Sequence, residues 1–127
     1  MRRIAIVVAA LLTMAACAGP KSRHVAPKDR NLITADEIAR ANASNAYEIV
    51  ERLRPSFLST RGAESLQNPA PPTPIIYLDR MRYGTLQTLA SVPAIGIVSI
   101  QYMNAIDATQ RYGFGHEGGA ILITTRH

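Results

Sequence analysis

Beyond residue 30 the apolar positions of this chain fall into two rhythms. Ala46, Ile49, Val50 and Leu53 are spaced i, i+3, i+4 and i+7, which puts all four on one face of a helix. Asn45 and Glu48 have the spacing of a capping box at its start, and Pro55 disfavours helical backbone in the residue before it. The pattern therefore predicts an amphipathic helix over 46–53. Thr34 and Glu37 have the same box spacing, predicting a shorter helix from Ala35 to Ala41. The second rhythm has period two. Residues 75–79 read IIYLD, a strand with Ile75, Tyr77 and Asp79 on one face and Ile76 and Leu78 on the other.

The last thirty residues carry the strongest strand signal, AILITT at 120–125. Before it come a β-branched and aromatic run from Ile97, a short polar helix-like piece and a glycine cluster, so two strands bracket a glycine turn. So small a unit buries too little apolar surface to stand alone, and upstream segments must partner it. Phe57 and Leu58 begin a short extended piece ending at Gly62, and residues 63–74, with four of the eight prolines, form a loop. Arg80 to Gly84 reads as a turn and return strand, and Leu86, Leu89 and Ala90 as a brief helix before Pro93. The order is helix, helix, strand, loop, strand, turn, strand, short helix, strand, short helix, strand. This is an α+β fold: a small mixed β-sheet with short helices packed on it, the helix over 46–53 covering one face.

The amino terminus obeys different rules. Residues 1–16, MRRIAIVVAALLTMAA, have two arginines, an apolar run shorter than the roughly 20 residues a membrane helix needs, and small residues at the end. This is a signal-peptide pattern. Cys17, the one cysteine of the chain, follows Met14, Ala15 and Ala16, and the junction resembles the lipobox of bacterial lipoproteins, with Met14 where leucine is commonest. The resemblance implies cleavage before Cys17, diacylglycerol on its thiol and an acyl chain such as palmitate on the new amino group. It also removes the difficulty of an unpaired thiol in an exported chain. Several acyl chains exceed the two signals that stable anchoring requires. Ala18 stands where an aspartate would favour retention at the inner membrane, which points to the outer membrane.

Residues 17–30 then form the lipidated cysteine and a flexible tether, and residues 31–127 the folded domain. The tether sequence from Ala18, AGPKSRHVAPKDR, lacks apolar periodicity. Fully extended, its 13 residues reach about 40 Å. Charge adds little. Without Arg2 and Arg3, twelve basic side chains face nine acidic ones, a net of +3 too scattered to predict nucleic acid as a partner.

The domain as a whole resembles the plug domain of TonB-dependent outer-membrane receptors, especially the plugs of SusC-like nutrient importers. NLITADEIARANASNAYEIVERLRP at 31–55 is similar to the plug's opening helix pair, PIIYLDRMRYG at 74–84 to an internal strand and turn, and IVSIQYMNAIDATQRYGFGHEGGAILITTR at 97–126 to the last segment. Tyr112, Gly113, Gly119, Ile121, Ile123, Thr124 and Thr125 carry most of the likeness. Arg80 replaces the usual glycine after Asp79, and Asn104-Ala105 the usual basic residue and glycine. In the family such a plug is followed by a β-barrel. No barrel-like run of strands follows within this sequence, so the resemblance implies a plug-like domain acting as an interaction module near the outer membrane. Its partner would be another envelope protein such as a barrel or transport assembly; the alternatives are an orphan plug without a transport role, or a small hydrolase.

Candidate chemistry is sparse. Gly113, Gly115 and Gly118 spell G-x-G-x-x-G, but here the pattern precedes a strand, where a dinucleotide fold has it open a helix. The glycines at 113, 118 and 119, with Tyr112, read as a fold turn, in which Gly113 and the 118–119 pair permit positive φ where the chain reverses. His116 and Glu117 read as loop decoration, and the other histidines lie in the tether and at the terminus, short of the ligands zinc requires. No catalytic residue, cofactor or metal site is expected.

Overall fold

The computed structural model describes residues 28–59 and 72–126. Eight regular elements follow in order: β1 (Leu32–Ile33), α1 (Ala35–Ala41), α2 (Ala46–Leu53), β2 (Ile75–Leu78), β3 (Met81–Gly84), β4 (Ile97–Met103), α3 (Ala105–Tyr112) and β5 (Ala120–Thr125). The strands form one sheet in the order β1-β4-β5-β2-β3. All neighbours are antiparallel except β2 and β5, which run parallel. The fold is α+β with a mixed sheet, and the AILITT segment is its middle strand.

Local chemistry sets the helices. Thr34 and Glu37 form the capping box of α1, the Glu37 carboxylate accepting the Thr34 N–H at 3.1 Å. At α2 the Asn45 side chain accepts the Glu48 N–H at 3.0 Å, while the Glu48 carboxylate reaches one residue further back, to the Ser44 N–H at 3.0 Å. Arg52 lies 3.6 Å from Glu48 as the i, i+4 pair and donates to the last carbonyls of α1, Ala41 and Asn42.

The apolar face of α2 buries Ala46, Ile49 and Val50 against Ile33, Ile76, Ile100, Ile121 and Ile123 of the sheet. Alternation in β2 is as the pattern predicts, Ile76 entering this core and Ile75 and Tyr77 the other side. That other side is where the expectation of a singly covered sheet fails. Helix α3 lies across it, packing Ala108 and Tyr112 on Ile75, Tyr77 and Ala120. Its eight residues include too few apolar positions to announce a buried face.

Two further departures are local. Leu32–Ile33 is a strand of two residues, paired with Gln101 and Ile100, too short to show a period. Phe57 does not begin an extended piece: Pro55–Phe57 is a turn of 3-10 helix with proline at its start. That turn drops Phe57 into the core, 2% exposed and stacked on Tyr102 at 5.3 Å. Gly62 and most of the proline-rich loop lie outside the described residues. The brief helix before Pro93 is a 3-10 helix, Leu86–Ser91, which buries Leu89. Asp79 and Arg80 make the two-residue turn between β2 and β3, with φ of 47° and 73°.

Candidate functional site

The predicted turn residues link the end of α3, on the second face of the sheet, to the start of β5. Asn104 caps α3, its side chain accepting the Asp107 N–H at 2.9 Å while its amide donates to the Asp107 carboxylate at 2.8 Å. The helix ends at Gly113, at φ 91°, whose N–H reaches Thr109 O. The return to the sheet passes through Gly119 at φ 83°, whose N–H donates to His116 O at 2.8 Å. Gly118 does different work from that expected. It has no positive φ, but a Cβ there would collide with the Thr73 carbonyl, so glycine is required by close packing of two backbones. The third glycine of the G-x-G-x-x-G pattern thus seats the chain against residues 72–73.

Within this turn His116 is not loop decoration. It is 3% exposed, and its ring joins Tyr77 and Tyr112 in an aromatic cluster. His116 Nδ1 lies 2.8 Å from Gly113 O, and a carbonyl only accepts, so Nδ1 carries the proton. In the neutral ring Nε2 then accepts from the Tyr77 hydroxyl, also at 2.8 Å. Burial pushes the Tyr77 hydroxyl above its usual range, with Arg82 opposing the shift, so Tyr77 remains a donor. Tyr112 stacks on Tyr77 at 4.1 Å, and among the described residues its buried hydroxyl has no hydrogen-bond partner.

The three groups that a hydrolase reading would combine have separate engagements. His116 uses both nitrogens on Gly113 and Tyr77. Asp79 accepts the Thr125 N–H at 2.8 Å and the Thr125 hydroxyl at 2.6 Å, clasping the end of β2 to the end of β5. Glu117 is exposed and lines an open groove of about 500 Å³ with Ala105, Ile106, Thr109 and Gln110. Among the described residues no three His, Cys, Asp or Glu side chains stand together as metal ligands, and no helix is long and apolar enough to cross a membrane. Cys17 and the signal-like segment lie outside the described residues.

What the sequence missed is the surface beside the turn. Ile106 and Phe114 are 71% and 97% exposed. Phe114 had a local signal, an aromatic between two glycines; Ile106 had none, because its exposure depends on how α3 sits on the sheet. Comparison with models of known families, with curated proteins and with solved structures gives no match.

Proposed function

We propose that this chain is a lipoprotein anchored in the outer membrane through Cys17, facing the periplasm, whose plug-like α+β domain is an interaction module for another envelope protein. The observation that carries the reading is the succession of a signal-type segment, the single cysteine at 17 after two alanines, and a tether leading into the domain. A thiol unpaired within an exported chain is a chemical liability, and acylation turns it into an attachment point. The domain supports a binding role. Its polar turn residues are engaged in holding the fold, while apolar side chains stand in solvent at Ile95, Ile106, Phe114 and Met81. The partner best suited to a plug-like module is an outer-membrane barrel or transport assembly.

The test has two arms. Mass spectrometry of the mature amino terminus from cells fed labelled fatty acid is expected to show Cys17 as residue one with acyl mass, and Cys17→Ser to release the protein from the membrane fraction. Covalent crosslinking in intact envelopes is expected to join the domain to a barrel protein. An unmodified Cys17, or a Cys17→Ser chain still in the membrane fraction, removes the anchor. Recovery of no protein partner leaves an orphan plug-like domain without a transport role.

A further inference from the structure

The two edges of the sheet differ in what their outward backbone groups meet. On one edge Asn31 O accepts the Tyr102 N–H at 2.8 Å, so Leu32 is the residue of β1 whose backbone turns away from β4. Both of its groups are taken. The Leu32 N–H donates to Asp29 O at 3.3 Å, and the Leu32 carbonyl accepts from the Arg54 guanidinium at 3.4 Å. On the other edge β3 has β2 as its one neighbour. Ile75 and Asp79 donate their N–H groups to Gly119 and Ile123, so Tyr77 between them also turns its backbone toward β5. Arg82 stands opposite Tyr77, and its N–H and C=O therefore point out of the sheet. Among the described residues neither has a hydrogen-bond partner.

We propose that β3 is the docking edge of this domain and takes an extended, acidic segment of another envelope protein as an added strand. The inference deepens the interaction-module reading and rests on it in one respect, that the strand belongs to another protein; it does not need the anchor. Charge selects the occupant. Arg80, Met81, Arg82 and Tyr83 are all exposed, and the ion pairs among the described residues, Lys28 with Glu37, Arg52 with Glu48 and Arg54 with Glu37, use neither Arg80 nor Arg82. The acid beside them, Asp79, is turned onto Thr125. Carboxylates on an added strand would meet both guanidiniums, and apolar side chains between them would lie along Met81 and Tyr83. A second copy fits poorly, because antiparallel pairing through the outward Arg82 sets it against the same arginine of the other copy. The ladder shift between Ile76 and Tyr77 places a bulge at Tyr83, which confines the addition to the start of β3. Main-chain bonds are then few, so the arginines carry the specificity and the contact weakens with salt.

The probe is a fluorescein-labelled peptide of about ten residues alternating glutamate with valine, titrated into the full chain in non-ionic detergent and followed by anisotropy. Binding is expected, with amide exchange slowed at residues 81–84, and a peptide with lysine in place of glutamate should not bind. Arg82→Glu should weaken binding at least about tenfold. Arg82→Pro removes the outward N–H but no bond of the hairpin, so it should abolish binding while the urea midpoint shows the chain folded. If that variant does not fold, Arg82→Glu and the exchange pattern decide. No binding, equal binding of the lysine peptide, or binding unchanged in the Arg82 variants overturns the inference. So does a dimer in sedimentation that Arg82→Glu or Arg82→Pro dissolves, since a second copy then fills the edge. Crosslinking in envelopes separates the two readings. A captured barrel protein without peptide binding leaves the module and removes the edge; Arg82-dependent peptide binding with no captured protein supports the edge and removes the module.

Discussion

Tyr77 and Tyr112 are stacked neighbours with opposite hydrogen-bonding fates, which separates the value of a hydroxyl from the value of a ring. Tyr77→Phe keeps the stack but leaves the buried Nε2 of His116 without its donor. A loss of about 1–3 kcal/mol is expected, read as a lower urea midpoint at constant slope. Tyr112→Phe removes a buried hydroxyl that has no partner among the described residues. It should leave the midpoint unchanged or raise it by up to about 1 kcal/mol. Glu37 gives the residue scale its pH dependence. Burial works to raise its pKa, but the Lys28 ammonium, the Thr34 N–H and the Arg54 guanidinium outweigh it and hold the carboxyl at about 2, below the ordinary 4.5. A depressed carboxylate stabilises the fold above its unfolded pKa and loses that contribution as pH falls through the folded one. Wild type should therefore exceed Glu37→Gln by about 1 kcal/mol at pH 7, solvent screening included. The difference should shrink between pH 4.5 and about 2 and vanish below, as followed by denaturant titration at several pH values.

At the scale of elements, caps and glycines decide where each helix and strand begins. Helix α3 is short and only one of its residues is fully buried, so its start depends on Asn104. Asn104→Ala should cost about 1 kcal/mol of stability, with amide exchange quickening first in residues 105–109. The capping box of α1 and the Asn45 cap of α2 were legible because S/T/N-x-x-E spacing is local chemistry, complete within four residues, although the Glu48 carboxylate closes on the Ser44 N–H and not on that of Asn45. The same holds for the period-two reading of β2. The strand at 32–33 and the 3-10 turn at 55–57 were not legible, since pairing with β4 creates the one and burial of Phe57 against Tyr102 stabilises the other. Gly118 was assigned the wrong reason for being glycine because close approach to Thr73 is a contact across 45 positions that no local pattern records.

For the whole molecule the middle strand holds the sheet together. Ile121 is fully buried in β5, between an antiparallel and a parallel neighbour. Ile121→Ala should cost about 2–5 kcal/mol, while Met81→Ala on edge strand β3 should change stability by less than about 0.5 kcal/mol, both read from thermal or urea unfolding. By itself the sequence determined the α+β class, the helices at 35–41 and 46–53, the strand read at 75–79, which the structure ends at Leu78 because Asp79 turns at φ 47°, the strand at 120–125, and a glycine reversal before the last strand. Each of these follows from side-chain period or backbone restriction within a few residues. Only the tertiary structure decided that α3 covers the second face of the sheet, that His116 is buried on Tyr77, and that Gly118 seats the turn against residues 72–73. Those facts depend on strand order and on contacts between distant residues, and the free energy that selects them comes from burying whole faces together.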